Sequence, residues 1–323
     1  MSQGVPEQKA DFATSAKLKV TLLGSEWTSS AGGLSTLNRE LAIHLSEHPE
    51  VEVSFLVPEG ACTDKDKREA QSYGITVFDA KKCPGFEPLD WLSFPPEDLT
   101  MDVVVGHGVK LGRQGHVIRD KSNRFPNCKW VQVVHTAPED LGKFKIYSNP
   151  VAKGERKHEN EVDLCKLADL VVPIGPRLAE AYSAYLQRCA RDEDIITLTP
   201  GLFDREFGNL EQSPNEKAKF KVLLCGRGDD EDFKLKGYNI AVKAFIDHRL
   251  KKKPYQLIFV GAADGKQDVI RKRLLKSGIA EEQLTVRKFV QSRESMKDLL
   301  CEVDLAIMPS KSEGFGLDRK SVV

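Results

Sequence analysis

Short apolar runs recur along the chain, each closed by a turn residue, with helix-length stretches between them. Leu18 to Leu23 ends in Gly24 and reads as a buried strand. Leu34, Leu37, Leu41 and Leu45 then fall at helical spacing, with Ser35 and Thr36 near the start. Val51 to Val57 is a second β-rich run, closed by Pro58. Beyond the loop-rich stretch Pro84 to Pro96 come three more compact runs. Asp102 to Val105 ends at Gly106, and Lys129 to Val134 ends at His135. Leu170 to Ile174 leads through Gly175 and Pro176 into a helix from Arg177 to about Cys189. This alternation predicts βαβ units and a mainly parallel sheet.

The alternation restarts after a polar stretch, Asn209 to Asn215, that carries Pro214. Strands are expected at Val222 to Cys225, Leu257 to Val260, Leu284 to Phe289 and Leu305 to Met308. Helices Tyr238 to Leu250, Gln267 to Ser277 and Arg293 to Cys301 separate them. The expected organisation is a disordered tail (1–16), a first α/β domain (17–208), a linker (209–216) and a second α/β domain (217–317). Four strands and three helices leave one side of a doubly wound sheet unfinished, so the second domain is expected to be incomplete.

Composition narrows the partners. The 48 basic and 48 acidic residues cancel, so nothing global draws the chain to nucleic acid or an anionic membrane. Seven scattered cysteines without CxxC spacing favour reduced thiols and a cytoplasmic setting. The polar start lacks a signal peptide's apolar core, and no apolar run approaches the roughly 20 residues of a membrane span.

Candidate chemistry gathers at strand ends. In Ala31-Gly32-Gly33-Leu34-Ser35, two glycines would let backbone approach a ligand at a helix start, suiting a phosphate or a sugar hydroxyl. A tight strand-to-helix turn explains the same string, and no GxGxxG fingerprint is present. Cys225-Gly226-Arg227, with Lys234 and Lys236-Gly237, could neutralise a diphosphate, or could be a solvated basic loop. Pro309 to Leu317 puts Glu313 on a glycine-rich turn where its carboxylate could accept from sugar hydroxyls. His107 and His135 each follow an apolar strand and either point into one cleft or are structural histidines. The acidic run Asp229 to Asp232 is read as a solvated loop and not as a metal site.

In order, these strings resemble the GT-B glycosyltransferases, specifically the retaining family 4 group. The resemblance rests on Ala31 to Ser35 with Asn38 to Leu41, Val134-His135-Thr136, Ala168 to Val172 and Thr199-Pro200-Gly201. It continues through Gly226-Arg227, Lys236-Gly237, Val260-Gly261, and Pro309-Ser310 through Glu313 to Leu317. It implies two Rossmann-like domains facing a cleft, the first for acceptor and the second for nucleotide-sugar. The implied reaction moves a sugar from a nucleoside diphosphate to an acceptor hydroxyl with retention, without a metal or other cofactor. Arg227 and Lys236 would hold the diphosphate, with Lys234 a rival for the second place. Gly261, Ser310, Gly314, Phe315 and Gly316 would line the nucleotide-sugar site, and Gly32, Gly33 and Leu34 the phosphate or acceptor loop. His135 matches the active-site histidine, with His107 a second candidate, and Glu313 matches the first glutamate of the E-x7-E motif.

The second glutamate of that motif, which holds the ribose, falls at Ser321. Residues 318–323 have no family counterpart and read as translated sequencing-adapter DNA, so they are expected to be non-native and this chain inactive. Two other functions fit the same fold: a non-catalytic module that binds nucleotide-sugar or a partner protein, and a nucleotide-sugar epimerase.

Overall fold

The computed structural model describes residues 16–28, 33–137, 149–187, 194–201, 219–228, 233–247, 249, 254–290 and 292–311. The expected N-terminal tail to residue 15, the linker 209–216 and the tail 318–323 lie outside them. The first half contains β1 (Leu18–Leu23), α1 (Gly33–Ser46), β2 (Val51–Pro58), α2 (Asp64–Ser72) and β3 (Thr76–Ala80). A 3-10 turn (Pro88–Ser93) leads to β4 (Val103–His107), α3 (Gly108–Lys121) and β5 (Lys129–Val134). Then follow α4 (Pro150–Leu167), β6 (Leu170–Pro173) and α5 (Pro176–Leu186). These strands form one parallel sheet in the order β3-β2-β1-β4-β5-β6.

The second half contains β7 (Phe220–Cys225), α6 (Tyr238–Ile246), β8 (Tyr255–Ala262), α7 (Gln267–Lys276), β9 (Leu284–Lys288), α8 (Arg293–Glu302) and β10 (Leu305–Ile307). Their sheet runs β10-β7-β8-β9, again parallel. In both sheets the chain starts centrally, moves outward, then returns to the other side of the first strand. The strand ends beside β1–β4 and β7–β10 are therefore topological switch points, where open α/β sheets bind ligands.

One aspartate repeats at matching places. Asp102 accepts from the Lys19 N–H (2.8 Å), Asp169 from the Trp130 N–H (2.9 Å) and Asp304 from the Lys221 N–H (2.7 Å). Each precedes a strand and ties down the start of its neighbour, setting register. Both faces of each sheet are packed. Val20, Leu22, Phe55 and Val105 face one core while Leu23, Leu56 and Val104 face another. Leu224, Leu257 and Phe259 oppose Leu223, Ile258 and Val260 in the same way. Period-2 alternation with both sides apolar is what a sheet covered by helices on each face requires. Full burial of a Leu such as Leu22 (0% exposed) is worth about 1.5–3 kcal/mol.

Three differences from expectation have local causes. Strand β4 continues through His107, because residues 103–107 pair in unbroken register with 129–133 of β5. Helix α6 stops at Ile246, not Leu250, where the Asp247 N–H closes the last turn on Ala244. Helices α2, α3 and α4 were not visible as apolar patterns. Helix α2 buries only Asp66 and Ala70, and a reciprocal Thr63–Asp66 capping box starts it. No helix among the described residues is long and apolar enough to cross a membrane, and no disulfide joins the described cysteines.

Candidate functional site

At the carboxyl ends of β7, β8 and β10, three backbone segments lie in direct contact. The Gly226 N–H donates to the Val260 carbonyl (3.0 Å) and the Gly228 N–H to that of Gly261 (3.3 Å). The Lys311 N–H, just past β10, donates to the carbonyl of Leu235 (2.8 Å). Arg227 thus sits between two rungs that join its loop to β8, with its side chain exposed. Its carbonyl accepts from the buried Tyr238 hydroxyl (2.8 Å), whose ring packs edge-on against Phe233 and Phe259.

Two glycines make the approach possible. A methyl group on Gly261 (φ 131°) would stand 2.1 Å from the Gly226 carbonyl oxygen. One on Gly237 (φ 69°) would stand 2.0 Å from the Pro309 carbonyl oxygen. Gly237 also caps α6 in the left-handed region, so the segment with Lys234 (exposed) and Lys236 (half-buried) is pressed against Pro309-Ser310. The expected residues Arg227, Lys234, Lys236, Gly261 and Ser310 therefore converge on one sheet end. Glu313, Gly314, Phe315 and Gly316 lie outside the described residues, as does the acidic run 229–232. Basic residues gathered at one sheet end are the kind of group that can pair with a diphosphate.

In the first sheet, His107 ends β4 and His135 follows β5, with Nδ1 of His107 2.8 Å from Nε2 of His135. The ring centroids lie 5.1 Å apart. Burial, and then the neighbouring His135, hold the His107 pKa well below its ordinary value, and burial takes His135 down to about 4. Gly33 is exposed at the start of α1, Leu34 is half-buried, and Gly32 lies outside the described residues. The start of α1 is fixed by Asn38, fully buried, whose Nδ2 donates to the Leu23 carbonyl (2.9 Å). Trp27, absent from the motif reading, anchors the preceding loop edge-on against Phe55, with the Arg39 guanidinium 5.4 Å above it.

Two further residues escaped the sequence reading. Tyr238 carried no signal beyond opening a helix. Glu161 on α4 is buried, with an oxygen 3.6 Å from where a methyl on Gly108 would lie. Its Oε1 has no hydrogen-bond partner among the described residues, and burial pushes its pKa up to about 8. Its one sequence signal is its place four residues before the buried Cys165, on the helix stripe that faces inward.

Two parallel, doubly wound sheets, one with a basic, glycine-crossed strand end, define a GT-B glycosyltransferase architecture. A family model described as "Family 4 Glycosyltransferase in conflict systems" matches residues 21–318, and the chain belongs to that family. No curated protein sequence matches it. Among solved structures it is similar to Anabaena HepE in complex with UDP and glucose, at 15% identity and TM-score 0.61, over 94% of this chain and 78% of that one. WaaG, a glycosyltransferase of lipopolysaccharide biosynthesis, is similar at 14% identity and TM-score 0.60, over 94% and 78%. The α,α-trehalose 6-phosphate synthase of Burkholderia multivorans is similar at 11% identity and TM-score 0.61, over 95% and 79%.

Proposed function

We propose that the chain is built for retaining glycosyl transfer, without a metal, from a nucleoside-diphosphate sugar to an acceptor hydroxyl, in the cytoplasm. The observation that supports this reading is the close approach of Gly261 to Gly226 and of Gly237 to Pro309, which brings the segments of Arg227 and Lys236 to one sheet end. UDP in the HepE complex is consistent with a diphosphate at such a site. In this reading Arg227 and Lys236 neutralise the departing diphosphate, Glu313 contacts the sugar, and His135 faces it from the first domain. Ser321 stands where the family has its second glutamate. The ribose then lacks one charge-assisted hydrogen bond, about 1.5–3 kcal/mol, and turnover by this chain is absent or far below that of a relative that keeps the glutamate.

The test is calorimetric titration with nucleoside diphosphates, together with a hydrolysis and transfer assay on their sugars. Arg227→Ala is expected to weaken diphosphate binding by about tenfold to a hundredfold, and Lys234→Ala by much less. Equal effects from the two, or none from Arg227→Ala, would remove the diphosphate from this place. Turnover at the rate of a relative that keeps the second glutamate would overturn the proposed slow turnover.

A further inference from the structure

The contact between the two histidines constrains their protons. Burial keeps both rings neutral near pH 7, so within the 2.8 Å pair one ring supplies the N–H and the other the lone pair. His107 is 0% exposed, and its other nitrogen, Nε2, is buried with no partner among the described residues. His135 is half-buried, and its Nδ1 is not among the buried, unpartnered nitrogens of those residues. If His135 donated, the His107 proton would sit on Nε2 as a sealed N–H without an acceptor, the rarer and costlier kind of orphan. If His107 donates, Nε2 is a bare ring nitrogen, and His135 carries its proton on Nδ1.

The end of β4 that carries His107 is also held in place by its surroundings. Its backbone is in sheet register with Val133. A methyl on the preceding Gly106 would stand 2.8 Å from the Gly112 Cα and the Leu111 carbonyl oxygen, so α3 presses directly on the end of β4. On the same face, Gln132, the register partner of Gly106, donates from Nε2 to the Gly108 carbonyl (2.9 Å) and ties the start of α3 to β5.

We propose that His107 is a positioning residue that locks His135 in the Nδ1–H tautomer, so that His135 presents a hydrogen-bond donor, not a base, to the transferred sugar. The proposal rests on the reading that His135 faces that sugar. It gives His107 a role different from contact with phosphate or acceptor, because the ring is sealed behind His135.

The first measurement uses the whole chain labelled with 15N-histidine, in long-range 1H–15N correlation spectra at pH 7. Both His107 and His135 are expected as Nδ1–H tautomers, against the Nε2–H form that free imidazole side chains favour in water. The second uses transfer kinetics. His107→Leu is expected to lower kcat by about tenfold or more with little change in KM for the nucleotide-sugar. His107→Asn, whose amide N–H can stand in for Nδ1–H, is expected to recover most of that loss. An Nε2–H signature at His135 in the unmodified chain overturns the proposal. So does a His107→Leu variant that folds and transfers at the unmodified rate. If the unmodified chain binds no nucleoside diphosphate, the glycosyltransferase reading fails, and the spectrum still decides the tautomer.

Discussion

Gly261→Ala is expected to destabilise the second α/β unit by about 3 kcal/mol and to abolish measurable diphosphate binding. The new methyl group would meet the Gly226 carbonyl oxygen at 2.1 Å, and that oxygen belongs to backbone. Gly226 is held by its N–H bond to Val260 and lies against the Tyr238 hydroxyl, so it cannot move aside freely. Gly261 also sits where the β8–β9 register shifts between Val260 and Ala262, so retreat on that side would break the ladder to β9. Overpacking of this kind costs about 1–3 kcal/mol, and the positive φ of 131° adds about 1–2. Gly265→Ala provides the internal control. Its φ is 71°, yet nothing lies within 4 Å of the added methyl, so only the backbone cost of about 1 kcal/mol applies. Urea denaturation followed by fluorescence, with diphosphate titration, separates the two. Equal destabilisation by the two variants would mean that the backbone crossing is not what shapes this sheet end.

The second large effect is on pH dependence, and it centres on Glu161. Its pKa is raised from 4.5 to about 8 by burial. The native state therefore holds a proton that the unfolded chain releases, and stability falls as pH rises from about 4.5 to 8, after which the loss is complete. The slope is about 1.4 kcal/mol per pH unit, which amounts to a loss on the order of 4 kcal/mol between pH 5 and pH 8. The histidine pair acts in the opposite sense. Both rings are depressed below 6.5, so the unfolded chain binds the extra protons, and stability drops as pH falls from 6.5 toward 4. Together the three groups place the stability maximum near pH 6.5. Glu161→Gln keeps the shape and removes the ionisation, so its stability relative to the unmodified chain is expected to grow steadily from pH 5 to pH 8. Melting temperatures across that range decide the matter. Parallel pH curves for the two proteins would show that Glu161 does not carry a buried proton. Glu302 leaves this window untouched, because Arg287 and then Lys221 hold its pKa at about 2, and its contribution is lost only below pH 4.5.

Much of this molecule is legible in one dimension because its strands are buried on both faces. A strand covered on each side must be apolar throughout, so runs such as Leu18–Leu23 and Lys129–Val134 announce themselves and their ends. The ligand-bearing ends could be named because glycine next to Arg or Lys after an apolar run is a local signal, as at Gly226-Arg227 and Lys236-Gly237. The helices that were missed bury little or carry mixed stripes. Helix α2 begins at its capping box and buries only Asp66 and Ala70, and α4 hides Glu161 on an inward face, so neither offers a stripe of large apolar residues to read.

The amino-acid order alone therefore determined the alternation of strands and helices, the two α/β units and the strand ends where chemistry gathers. Only the tertiary structure decided that Gly261 must lie against Gly226, that Tyr238 pins the Arg227 carbonyl, that His107 bonds His135, and that Glu161 is sealed from water. The reason is physical. Hydrophobic period and turn chemistry act between residues a few places apart. A close backbone approach, a tautomer or a shifted pKa depends on groups about 10 to 80 places apart, and packing density alone brings those together.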